Sequence, residues 1–120
     1  MIATSYYAKA VHYPDTFRIG ISLSKPSYAV TNCDLKWLAP TWEMLSRYKL
    51  DHNENAYTFK YLDMLAKKAK TLEYLVERMN VMEKKQNVLL LCWEGPNKFC
   101  HRHLLADYLN LQFGTHIIEL

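Results

Sequence analysis

Only three glycines occur among the 120 residues, scattered at Gly20, Gly95 and Gly114. Phosphate loops of the P-loop and dinucleotide-binding kinds need clustered glycines ahead of a helix, so both classes are excluded. Long apolar runs are also missing. No stretch approaches the roughly 20 residues that cross a bilayer, and no membrane partner is expected. The opening "MIATSYYAKAVHY" has no basic segment followed by an apolar one, so it does not read as a secretion signal. Three cysteines without regular short spacing do not make a disulfide framework, which points to a reducing, cytoplasmic setting. Nor is charge of one sign in excess. Fifteen Lys and Arg against twelve Asp and Glu leave +3, and the basic stretches "RYK", "FKY" and "KKAK" are balanced by acids, which argues against a nucleic-acid partner.

What is present suits one compact domain. Half of the residues are apolar, enough at this length to build a core without disulfides or metal, so residues 1–120 read as a single α/β domain. "IATSYYA" and "FRIGISLS" carry β-branched and aromatic residues at near-alternating positions and predict two strands joined around Pro14 and Asp15. "KPSYAVTNCDLKWLAP" reads as a long loop, and "PTWEMLSRYK" as a short helix with Trp42, Leu45 and Tyr48 on one face. Two helices follow, split near Lys70 with Thr71 as a cap. Tyr57, Tyr61, Leu62 and Leu65 form the apolar stripe of one, and Leu72, Leu75, Met79 and Met82 that of the other. The lysines at 67, 68 and 70 fit the negative end of a helix dipole better than a phosphate patch.

"VLLLC" is apolar at every position, as a strand covered on both faces must be. Gly95 and Pro96 break the run, Asn97 stands where an N-cap belongs, and "KFCHRHLLADYLNLQ" reads as a helix closed by Gly114 before a last strand in "THIIEL". The expected fold is a three-layer-like α/β domain with a mostly parallel sheet of about four strands flanked by helices. Ligands bind beyond the carboxyl ends of such strands. Cys92, Glu94 and the helix start all fall there.

A helix N-terminus attracts anions and lowers the pKa of a cysteine placed on it, which the Asn97 cap would make Cys100. Arg102 offers a planar fork for phosphate or carboxylate oxygens, and His101 a proton carrier near neutrality. Cys100, Leu104, Tyr108 and Leu111 also recur at helical spacing, so Cys100 either reacts or packs; Cys92 ends an apolar strand and reads as packing. Glu94 either works in the site or pairs with Arg102. Cys92, Cys100, His101 and either His103 or Cys33 are zinc-ligand types, but C-x7-C-H-x-H is not a compact zinc spacing, and neither metal nor cofactor is expected. A phosphatase-type loop would need an arginine about six residues after Cys92, where Lys98 stands. If the first two strands run parallel to "VLLLC", then Thr4, Ser5, Tyr6, Ser24 and Lys25 approach the same turn.

The order "LLLCWEGPNKFCHRHLLADYL" resembles the domain of unknown function 488 family: an apolar strand ending in Leu-Cys-x-Glu, a short loop, then Cys-His-Arg opening a helix. The resemblance implies that Cys92, Glu94, Cys100, His101 and Arg102 match the family's signature one by one. "TSYYAKA", "GISLSKP" and "LAP" resemble its short phage- and bacterium-associated branch, so the similarity spans nearly the whole chain. It implies a small α/β fold and a site, with no established reaction. The early Asp-x-Arg strand of larger members has no equivalent here, so no mechanism needing that second arginine is implied.

The expected function is a phosphate- or nucleotide-type anion site. Cys100 or Cys92 would be a nucleophile, His101 or Glu94 would move protons, and Arg102, Thr4, Ser5, Tyr6 and Lys25 would bind the ligand. The alternative is a binding protein that sequesters or senses a small nucleotide, or docks a partner, without chemistry. Nine tyrosines and three tryptophans further suggest a homo-oligomer built on aromatic contacts.

Overall fold

A computed structural model describes residues 1–95 and 97–120. Five parallel strands form one sheet in the order β3-β2-β4-β1-β5: β1 (Ile2–Tyr6), β2 (Thr16–Gly20), β3 (Cys33–Asp34), β4 (Asn87–Cys92) and β5 (Ile118–Glu119). The apolar "VLLLC" run is β4, the middle strand, with Tyr6 beside Cys92 on one side and Gly20 beside Leu91 on the other. The strand count is one higher than expected because the long loop after Ser24 hides β3. Two residues are too few to show alternation, and backbone pairing to β2 alone defines them.

The two faces are covered unequally. On one, α4 (Ala69–Glu83) and α5 (His101–Phe113) lie against the sheet, α3 (Glu54–Ala66) packs on both, and α2 (Trp42–Asp51) packs on α3. This layer buries Ile2, Ile19, Val88, Leu90 and Cys92 from the strands together with Tyr57, Tyr61, Leu65, Leu72, Leu75 and Met79 from the expected stripes. Ala3, Leu89 and Leu91 point the other way, onto the short α1 (Tyr7–Ala10), which "YAKA" is too brief to announce as a helix. The period of two in β4 thus sends Cys92 toward α5 and not toward α1.

Local chemistry sets the helix ends. Thr41 caps α2 by accepting from the Met44 N–H, and Asn53 caps α3 by accepting from the Ala56 N–H. The boundary between α3 and α4 falls at Lys67 and Lys68, whose N–H groups bond back to Asp63 and Leu65, so Thr71 lies inside α4 and caps nothing. Lys67 pairs with Asp63 at 3.0 Å and Lys68 donates to the Trp37 carbonyl, which accounts for these two lysines without a phosphate. On α2 it is Met44 that is buried, whereas Trp42 is 66% exposed, contrary to the expected stripe. Gly114 ends α5 at φ +67°, where a side chain would be strained. Asn110 then clamps the turn, accepting from Thr115 and the Ile117 N–H and donating to the Ile117 carbonyl, and so aims β5 back along β1.

The start of α5 differs from expectation. Asn97 has φ +62° and lies outside the helix, Cys100 is the N-cap in extended conformation, and His101 is the first helical residue. The break expected at Pro96 lies outside the described residues. With the helix three residues shorter, its buried face is His101, Arg102, Leu105, Ala106 and Leu109, and Leu111, expected on the core stripe, is 81% exposed.

Candidate functional site

β4 delivers Cys92 at the carboxyl edge of the sheet, and the turn to α5 brings Cys100, His101 and Arg102 back over it. The two sulfurs and one imidazole nitrogen lie within 4.8 Å of one another. Cys92 and Cys100 are 0% and 3% exposed. Cys100 Sγ donates to Glu94 Oε2 at 3.2 Å and sits 3.7 Å from His101 Nδ1. His101 Nε2 is 2.6 Å from the Ile21 carbonyl oxygen. A carbonyl only accepts, so Nε2 carries the hydrogen and Nδ1 of the neutral ring faces the sulfurs as a bare lone pair. The Tyr61 ring meets the imidazole edge-on at 5.6 Å and fixes its plane.

Arg102 is the largest fully buried side chain of the protein, and a buried charge must be paired. Its partner is Glu119, not the Glu94 carboxylate considered from the sequence. Nε lies 3.1 Å from both Glu119 oxygens, and Nη2 lies 2.9 Å from Oε2. Nη1 donates to Cys92 Sγ at 3.0 Å and to the Glu94 carbonyl, and Nη2 also donates to the Gly95 carbonyl. All five N–H donors are therefore engaged, and none is left for the ligand contact expected of Arg102. What the guanidinium offers the site is a fixed positive charge on the Cys92 sulfur. Burial opposes that charge, and the Glu119 carboxylate and the Cys92 sulfur more than offset it, so the Arg102 pKa is raised.

The expected lowering of the Cys100 pKa is reversed. The hydrogen bond with Cys92 and burial, reinforced by the charges of Cys92 and Glu94, push the Cys100 thiol well above its ordinary range. Cys100 is thus a protonated donor to Glu94, and Cys92 is the sulfur that any developing negative charge can use with Arg102 beside it.

The other expected residues divide. Thr4 donates to Glu119 Oε1 at 2.5 Å, and the Tyr6 ring lies against the guanidinium at 5.7 Å, so both support Arg102. Ser5 is fully buried on the α1 face, with no hydrogen-bond partner among the described residues. Lys25 is held by Asp34 and Thr31. Ser24 gives its carbonyl to the Trp93 indole N–H at 2.7 Å. His103 lies 3.6 Å from Glu119 and Cys33 belongs to β3, so both stand outside the thiol cluster. Sequence reasoning missed Glu119 and Ile21. Glu119 carried one signal: a buried arginine demands a carboxylate, and "THIIEL" supplies one on a short strand. A backbone carbonyl carries no sequence signal.

Burial, opposed by the Ile21 hydrogen bond, holds the His101 imidazole below its ordinary value near 6.5. Below about pH 6.5 the unfolded chain takes up a proton at this position that the folded protein refuses, so acidification weakens the fold until His101 itself titrates. Urea midpoints measured between about pH 7 and pH 5 should fall on acidification, and His101→Gln should flatten that slope. An unchanged slope in the variant would remove His101 from the titration.

No solved structure and no curated protein matches this chain. The family described as "Active DUF488-N3 subclade" matches residues 2–112, which takes in β1 to β4, the thiol turn and nearly all of α5. The chain therefore belongs to the domain of unknown function 488 family, as a member of its DUF488-N3a group.

Proposed function

We propose that the protein is a thiol-dependent enzyme acting on a small anionic, nucleotide-like substrate, with Cys92 as the nucleophile. The observation that carries this reading is the Arg102 Nη1 contact with Cys92 Sγ at 3.0 Å, a permanent charge placed beside one sulfur and held there by three other hydrogen-bonded groups, the Glu119 carboxylate and the Glu94 and Gly95 carbonyls. Cys92 attacks an electrophilic centre of the substrate, forming a covalent bond to it as the bond to the leaving group breaks, and water then cleaves the adduct and restores the thiol. The Cys92 thiol proton passes to His101 Nδ1, which returns it to the leaving group. Glu94, exposed and bonded to the Cys100 thiol, connects the thiol cluster with solvent. Trp93, half exposed and edge-on to Tyr7 at 6.1 Å, presents a flat apolar face beside the turn that suits a base. The family's description as an active subclade supports the enzymatic reading over a silent fold.

The burial of both sulfurs and the full engagement of Arg102 favour a second reading, a binding protein that performs no chemistry. Acid-quenched intact-mass spectrometry after incubation with a panel of nucleotides and phosphorylated metabolites separates the two. A covalent adduct that forms in the wild type and in Cys33→Ser, and is absent from Cys92→Ser, is the expected result. Turnover should fall by about 10³-fold or more in Cys92→Ser. Native spectra with a retained ligand, no adduct and equal retention in Cys92→Ser would establish the binding protein instead.

A further inference from the structure

We propose that Cys92, Cys100 and His101 form a binding site for a thiophilic divalent cation of the zinc class. Zinc bonds of about 2.3 Å to sulfur and about 2.0 Å to nitrogen, opened to the tetrahedral angle, place the two ligand atoms about 3.5 Å apart. Cys100 Sγ and His101 Nδ1 are 3.7 Å apart, and Cys92 Sγ completes a triangle with no edge beyond 4.8 Å. A cation at the centre of that triangle needs only small rotations of three side chains.

The tautomer is already correct. A ligating imidazole uses one nitrogen on the metal and gives its other N–H to a carbonyl or carboxylate, which fixes the ring. Here Nε2 is committed to the Ile21 carbonyl at 2.6 Å, and Nδ1 is the free nitrogen turned toward the sulfurs. The helix alone does not require this orientation.

Charge is also balanced. Two thiolates neutralise a divalent cation, and Glu94 Oε2, 3.2 Å from Cys100 Sγ, is within reach as a fourth, anionic donor. Arg102 Nη1–H already points at Cys92 Sγ and can remain as an N–H···S bond to the ligating sulfur. The three ligands are buried, as in closed metal centres, and stand on the central strand and a helix start. That origin explains the uncompact C-x7-C-H spacing: the ligands come from two elements across the crossover and not from one knuckle. Cation and substrate would compete, since both need the Cys92 lone pair, but the site stands whether or not Cys92 is catalytic.

The test is titration of the reduced, chelator-stripped protein with cobalt(II), a spectroscopic stand-in for zinc. The wild type and Cys33→Ser should develop thiolate-to-cobalt charge-transfer absorption that saturates stoichiometrically and is abolished by added zinc. Cys100→Ser and His101→Gln should weaken cobalt binding by more than the roughly 10–100-fold that loss of an outer partner costs. Failure of the wild type to give a thiolate band would overturn the proposal without reference to any variant. A band that survives in Cys92→Ser and Cys100→Ser would do the same by placing the cation elsewhere. Circular dichroism of each stripped variant checks that it is folded, and running the covalent-adduct experiment on chelator-stripped protein keeps failure of the metal site distinguishable from failure of the nucleophile.

Discussion

Replacing Arg102 with alanine is expected to destabilise the fold by about 3–5 kcal/mol, the cost of removing one partner from a buried charge pair. The side chain is fully buried, and its loss strands the Glu94 and Gly95 carbonyls and the Cys92 sulfur as well as Glu119. Against a total stability of about 5–15 kcal/mol, this is a large fraction. Thermal unfolding should come about 10–20 °C earlier. Glu119→Gln should cost less, about 1–2 kcal/mol, because the carboxylate is partly solvated and an amide oxygen can still accept. Calorimetry on the two variants checks the order. If Arg102→Ala loses under about 1 kcal/mol, water or another group replaces the network, and the arginine is free to serve a ligand after all.

Tyr61→Ala is expected to cost about 3–5 kcal/mol and to loosen the site at the same time. The ring is completely buried between α3 and α5, stacked near Tyr57 and edge-on to His101, and its hydroxyl donates to the Leu38 carbonyl at 2.6 Å. Alanine opens a cavity against the imidazole and leaves that carbonyl unpaired. Tyr61→Phe keeps the ring and removes only the hydrogen bond, for about 1–2 kcal/mol. Urea denaturation of the pair divides packing from hydrogen bonding. Equal losses in the two variants would mean that the hydroxyl alone matters and that the His101 wall is dispensable.

How much of this was legible in the sequence depended on the length scale of the signal. The five-residue apolar run of β4 and the 3.6-residue stripes of α3 and α4 are local patterns that burial enforces, and they survive into the structure. Cys92, Glu94, Cys100, His101 and Arg102 do gather at one turn. Their roles were less visible, because each depends on a neighbour distant in sequence. Arg102 looked available for an anion until β5 brought Glu119 alongside Thr4. Cys100 looked like a helix-activated thiol until Cys92 and Glu94 raised its pKa. The cap was misplaced for a local reason: Asn97 is a good N-cap type, but it adopts a left-handed conformation that turns the chain before the helix begins.

The insertion of β4 between β1 and β2 has a consequence for how the molecule comes into being. The two N-terminal strands never pair with each other; β1 has no partner, and β2 only the two-residue β3, until a strand made after α2, α3 and α4 arrives between them. Until β4 arrives, the sheet has no middle, and both early strands expose unsatisfied edges. Such non-local parallel pairing slows folding and prolongs the interval in which aggregation competes. The thiol turn follows directly on that late strand, so it is assembled only once the sheet has closed around β4, and a chain stalled before then carries its cysteines as ordinary, unorganised thiols.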